Sequence, residues 1–379
     1  MRFALPDVLI HADTIRSPEL RHEVPVAVPD PFLYFERNGA KLAAVGSFEV
    51  DRLREAGIDA YPYEAFGWDE LVAKGMPREE VDLELILRAA KEWGVSSAAV
   101  PSTFPLEVAD RLRGAGVELN VDRDLFLQRR RVKTEAELEG IRRAQKGADA
   151  AMGAARELFR QAESRNGSVV VGGEPLTCER VKLEILRVFS ERGLAADDFI
   201  VSHGPQSAVG HDMGSGEIKP DEPIVIDIWP RDRESMCFAD MTRTFVIGTP
   251  PDELKEYHRL VYDALQRSLE ATQAGVEGRA VFTQVCELFQ EAGYPTQLSK
   301  KPGEVLDSGF YHGLGHGVGL EVHEQPWLGR APGSLVAGDV VTLEPGLYRH
   351  GWGGCRLEDL AVVTEDGCEN LTNFPYDLQ

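Results

Sequence analysis

A chain of 379 residues, 43 % hydrophobic and 27 % charged, has the composition of a globular protein long enough for two domains and a substantial core. Its 63 acidic and 41 basic residues leave a net charge of −22, a surface that repels nucleic acid and anionic lipid, and no run approaches the roughly 18 apolar residues of a membrane span. Five scattered cysteines (Cys178, Cys237, Cys286, Cys355 and Cys368) form no disulfide framework and point to a reducing, cytoplasmic compartment.

The opening segment, MRFALPDVLIHADTIR, does not read as a leader. Pro6 and Asp7 break its apolar run, and one positive charge precedes it. Up to about residue 125 the pattern alternates between short strands and helices. PVAVP (25–29) and SAAVP (97–101) read as strands; 47–57, 78–94 and 105–116 read as helices closed by glycine. This predicts an N-terminal α/β domain over 1–128 and a second domain over 129–379. The arginine run at 129–131 is expected to be a solvated linker rather than an anion-binding patch.

Thr134 with Glu137 three residues later is a capping-box pattern ahead of a long helix. Further helices are expected at about 175–192, 251–274 and 279–292, with strand-rich sequence from Asp198 onward. The second domain therefore reads as α+β, its helices segregated from a largely antiparallel sheet. Within it, EPIVID (222–227) and DVVTLE (339–344) repeat one pattern. Each is followed by a second acid opening an apolar strand, Asp240 and Glu358, at offsets of 117 and 118 residues. Two matched units of this kind suggest two halves related by pseudo-symmetry.

Asp227, Asp240, Glu344 and Glu358 all sit at the ends of apolar strands. A carboxylate buried there is costly unless it is paired or binds a metal. Four in matched positions point to a cluster whose mutual repulsion divalent cations would relieve. The stretch YHGLGHGVGLEVHEQP, Tyr311–Pro326, holds three of the nine histidines. A helix there is excluded, because Gly313, Gly315, Gly317 and Gly319 would each cost about 1 kcal/mol. With period 2, His312, Leu314, His316, Val318 and Leu320 share one face and the glycines share the other, where backbone approaches closely. His323 has the opposite parity and needs a turn or bulge after Leu320 to join them. An imidazole and four carboxylates suit a pair of Mn2+, Co2+ or Zn2+ ions, which can hold a hydroxide between them.

The order Asp, Asp, His, Glu, Glu resembles that of the pita-bread aminopeptidases, which include methionine aminopeptidase, aminopeptidase P and Xaa-Pro dipeptidase (prolidase). ADMTRTFVIG, HGLGHGVGLEVHEQP, TLEPGLY and CRLEDLAVV carry the likeness, which covers roughly 130–375. The resemblance implies a pita-bread catalytic domain and a metal set of Asp227, Asp240, His316, Glu344 and Glu358, with Asp240 and Glu358 bridging two divalent ions, Mn2+ first. It implies that Glu344 is also the general base on a metal-bridging hydroxide. His211 and His323 match substrate-facing catalytic histidines, and His312 and Arg356 match positions that line and support the substrate site. The N-terminal domain is unlike methionine aminopeptidase, and its modest length is more like Xaa-Pro dipeptidase than aminopeptidase P. A proline-containing peptide substrate and a homodimer are implied with it. A proline pocket is expected to draw on Trp327, Tyr348 or Trp352.

The chain also departs from the pattern. The connection IWPRDRESMCFA (228–239) is about two residues longer than usual, and its charged residues are expected to reach over the site. Trp229–Pro230 and Cys237 replace the family's usual Gly and Tyr, and His211 sits in VGHDMG rather than before a Tyr. A metal-free creatinase-like hydrolase and a non-enzymatic binding module are the competing readings. Retention of all five ligand positions counts against both.

Overall fold

The structure, a computed structural model, describes residues 6–379 apart from Asn166. The start of the segment read as no leader, residues 1–5, lies outside the described residues. The chain divides into two compact units, Met1–Arg130 and Arg131–Gln379.

The first unit is built on a six-stranded mixed sheet. Its strand order is Asp59–Pro62, Ala40–Val45, Phe32–Arg37, Val8–Ala12, Ser97–Val100, Glu118–Val121. The three central strands pair antiparallel and the outer ones join in parallel. Leu9, Leu33 and Phe35 pack on one face with Val81, Leu85 and Leu112 from the helices Arg78–Glu92 and Leu106–Gly114. Val8, Ile10, Phe32 and Tyr34 pack on the other with Leu20, Leu53 and Phe126. A sheet buried on both faces is why these strands read as continuous apolar runs.

Residues 25–29 do not form the expected strand. Pro25 and Pro29 remove two ladder donors, and the segment is tied to Thr14 instead. The Thr14 hydroxyl donates to the Val26 carbonyl at 2.7 Å and accepts from the Val28 N–H at 2.7 Å. The arginine run is not a solvated linker. Residues Arg123–Arg131 form a helix, and Arg130 and Arg131 are buried. Arg129 forks onto Glu23 and Glu36 at 2.8 and 2.7 Å in the first unit. Arg131 clasps Asp339 at 2.6 and 2.9 Å in the second.

In the second unit every ladder among the described residues is antiparallel, and the helices pack together on the sheets. The long helix Glu135–Arg160 starts as expected. The Thr134 hydroxyl accepts from the Glu137 N–H, and the Glu137 carboxylate accepts from the Thr134 N–H. This helix and Cys178–Glu191 cover one core, which includes Ile224, Ile226 and Met241. Asp252–Ala271 and Gly278–Glu291 cover a second, which includes Val341, Leu343 and Leu347. Each half thus holds a helix pair and an acid-bearing strand pair. In the first, Ile224–Ile228 pairs with Met241–Phe245, with Asp227 opposite Thr242. In the second, Val340–Leu343 pairs with Asp359–Thr364, with Leu343 opposite Asp359. The sequence echo is a repeat of pairing as well as of pattern.

Candidate metal centre

The five residues that resemble a ligand set come together in the second unit. One ligand atom each from Asp240, His316 and Glu358 lies within 4.8 Å of the other two, and all three residues are buried. His316 Nε2 stands 3.9 Å from Asp240 Oδ2 and 3.6 Å from Glu344 Oε1. Asp227 approaches the same group, since its charge raises the pKa of Asp240, Glu344 and Glu358.

Backbone packing explains the alternating glycines. A Cβ on Gly315 would lie 2.0 Å from the Thr342 carbonyl oxygen, and one on Gly317 would lie 2.2 Å from that of Gln325. Only Gly315–Gly317 is strand, so the expected run from His312 to Leu320 is mostly irregular. The ladder with Glu324–Leu328 shifts register between His316 and Gly317, and bends follow. The irregularity turns His323 back until its ring lies 4.2 Å from that of His316, centroid to centroid.

Burial dominates the electrostatics. It raises the carboxyl pKa of Asp240, with Glu358, Asp227 and Glu344 adding to the effect. Glu358 is pushed up by burial and then by Glu344 and Asp227. Glu344 rises to about 8, chiefly through burial and against the opposing Arg356. His312 and His316 both fall to about 3. Burial is the main cause in each, with Arg356 next for His312 and His323 next for His316. Both are neutral imidazoles at pH 7. His323 is also lowered, mainly by burial.

Arg356 is buried, and its guanidinium is fully engaged. Nη2 donates to Asp227 at 2.5 Å, Nη1 to the Tyr348 hydroxyl at 3.0 Å and Nε to Thr242 Oγ1 at 3.1 Å. The Tyr348 hydroxyl also meets His312 Nε2 at 2.8 Å, and Thr242 donates to Glu358 Oε2 at 2.7 Å. Thr242 was not singled out in the sequence. Its signal was the polar alternation of MTRTF, a strand buried along its whole length. Gly346 leaves room for this network, because a Cβ there would lie 2.3 Å from the Tyr348 hydroxyl.

His211 is exposed. Trp352 packs on Tyr257 and beneath Arg349. The 228–239 connection does not reach over the site. Its extra length is taken up by a two-residue strand, Arg231–Asp232, paired with Leu194–Ala195. Asp232 is held by Arg143 at 2.8 Å and by Ser235, against the long helix.

The donor set fits divalent cations. Carboxylate oxygens and one neutral imidazole suit hard or borderline ions. Asp240 Oδ1 is buried with no hydrogen-bond partner, among acids whose charges oppose each other. The model for metallopeptidase family M24 matches residues 139–365, most of the second unit. The chain belongs to family M24. It is a metallopeptidase with the pita-bread fold, and no described helix is long and apolar enough to cross a membrane. The Xaa-Pro dipeptidase of Pyrococcus furiosus is 32 % identical over 257 residues, 67 % of each chain. A probable dipeptidase PepE of Mycobacterium bovis is 30 % identical over 285 residues, 74 % of this chain and 68 % of that one. The solved prolidase of Pyrococcus furiosus superposes with a TM-score of 0.75 at 23 % identity, covering 98 % of this chain and 97 % of that one. An X-Pro aminopeptidase from Thermotoga maritima gives 0.77 at 23 % identity, covering 98 % and 96 %. These M24 likenesses run through both units of the chain.

Proposed function

We propose that this M24 metallopeptidase is an Xaa-Pro dipeptidase, with Asp227, Asp240, His316, Glu344 and Glu358 holding two divalent cations, Mn2+ first. The observation that carries the reading is the buried Asp240–His316–Glu358 triangle, with Glu344 beside it and Arg356 paired with Asp227. The Xaa-Pro dipeptidase relative at 32 % identity supports the substrate class.

Bound cations would supply Lewis acidity and lower the pKa of water. The chain's own residues do the rest. Glu344 takes a proton from the attacking water as its oxygen bonds to the scissile carbonyl carbon, and delivers it to the proline nitrogen as the C–N bond breaks. His323 and His211 donate hydrogen bonds to the carbonyl oxygen as it gains charge. His312, held by Tyr348, lines the substrate site, and Arg356 fixes the orientation of Asp227. The proposal includes a cytoplasmic homodimer.

Mn2+-loaded protein is expected to release leucine and proline from Leu-Pro and to leave Leu-Pro-Gly intact, with no turnover after chelation. Cleavage of the tripeptide would make it an X-Pro aminopeptidase. Cleavage that survives exhaustive chelation would overturn the metal-dependent reading.

A further inference from the structure

Trp327 is directly opposite His316 in the antiparallel pair of Gly315–Gly317 and Glu324–Leu328. Cross-strand partners project to the same face of a sheet, so the indole stands on the face that carries the candidate ligand. Its ring centroid is 6.3 Å from that of His316 and 6.4 Å from that of His323, nearly parallel to the latter at 19°. His316 is 5 % exposed, whereas His323 is exposed and Trp327 is 48 % exposed. Its neighbours in the strand, Pro326 and Leu328, are buried on the opposite face, so the strand is anchored without the indole.

Two other aromatic residues named as pocket candidates are more engaged. Tyr348 is buried, with its hydroxyl engaged by Arg356 and His312. Trp352 is sandwiched between Tyr257 and Arg349. A tryptophan with half its surface in solvent, lined up with a site histidine, is apolar area left uncovered where a substrate must enter. Burying such a face is favourable in proportion to the area removed from water.

We infer that Trp327 is a specificity-determining residue, its indole packing on the side chain of the residue before proline and favouring large apolar residues there over glycine. The inference rests on the Xaa-Pro reading for its substrate and adds the residue preference. The indole carries no charge, so the acidic side chain of Asp-Pro gains nothing from it.

The test compares kcat/KM for Leu-Pro and Gly-Pro in the Mn2+-loaded wild type, Trp327→Ala and Trp327→Phe. The expected result is a Leu-Pro to Gly-Pro ratio that falls roughly tenfold in Trp327→Ala, mainly through KM, and is largely kept in Trp327→Phe. Melting temperature stays near wild type, because the indole is 48 % exposed. An unchanged ratio, or an equal fall for both dipeptides, overturns the assignment while leaving the Xaa-Pro reading intact. A second measurement separates the two claims. Titrating chelated protein with Leu-Pro should give a saturable change in tryptophan fluorescence that Trp327→Phe loses. That change without any wild-type cleavage would keep the assignment and remove the Xaa-Pro reading; no difference between the two proteins would remove the assignment.

Discussion

Glu358 and Asp359 are neighbours in the chain, both buried, and the structure treats them in opposite ways. Asp359 is met by the Arg243 guanidinium at 2.8 Å and by Asn370 and Tyr376 at 2.6 Å each. Glu358 has one hydroxyl, from Thr242, and burial, then Glu344 and Asp227, push its pKa up. The same contrast holds across the second unit. Asp339 has Arg131, Glu324 has Lys133 and Asp232 has Arg143, whereas Asp240 Oδ1 has no partner. Acids that hold the fold together are neutralised by the chain; at the candidate centre Asp227 is paired with Arg356, while the cluster of Asp240, Glu344 and Glu358 is left for something outside it. A buried charge costs several kcal/mol unless it is compensated, so the second arrangement marks a site for added positive charge.

The contrast can be broken from either side. Arg243→Ala strips Asp359 of its cation and also frees the carbonyls of Thr242, Glu358 and Phe374. It is expected to cost about 3–5 kcal/mol, read as a lower denaturant midpoint. Glu358→Gln in chelated protein removes a charge that burial already penalises, and an amide oxygen can still accept from Thr242. That variant should stay within about 1 kcal/mol of wild type or gain stability. An effect between those two is expected from Tyr348→Phe, which frees His312 Nε2 and Arg356 Nη1 at once. Two lost hydrogen bonds should cost about 1–3 kcal/mol between them. A drop in kcat larger than the rise in KM would place Tyr348 in orienting the reacting groups; a change in KM alone would place it in binding.

Much of the candidate site could be read from the sequence, because its signals are local. The capping box at Thr134, the alternating glycines and the four acids at strand ends each announce themselves within a few residues. Partners distant in the chain were not readable. Arg131 looks like part of a solvated run, yet its partner is Asp339, 208 residues away. PVAVP has the composition of a strand, but two prolines cannot donate to a ladder, and Thr14 takes over its carbonyls. The strands that carry the first unit, Val8–Ala12, Phe32–Arg37 and Ala40–Val45, are short and buried on both faces, so no alternation marks them. The longer 228–239 connection was visible as an insertion. Where it goes depends on Arg143 and on Leu194–Ala195, which nothing near it reveals.

The most direct test of the central claim is a calorimetric titration of chelated protein with Mn2+, comparing wild type with His316→Ala and Asp240→Asn. The account predicts about two ions per wild-type chain and fewer, or far weaker, in both variants, with melting temperature rising on metal addition only in wild type. Equal Mn2+ binding by all three proteins, or none by the wild type, would contradict it.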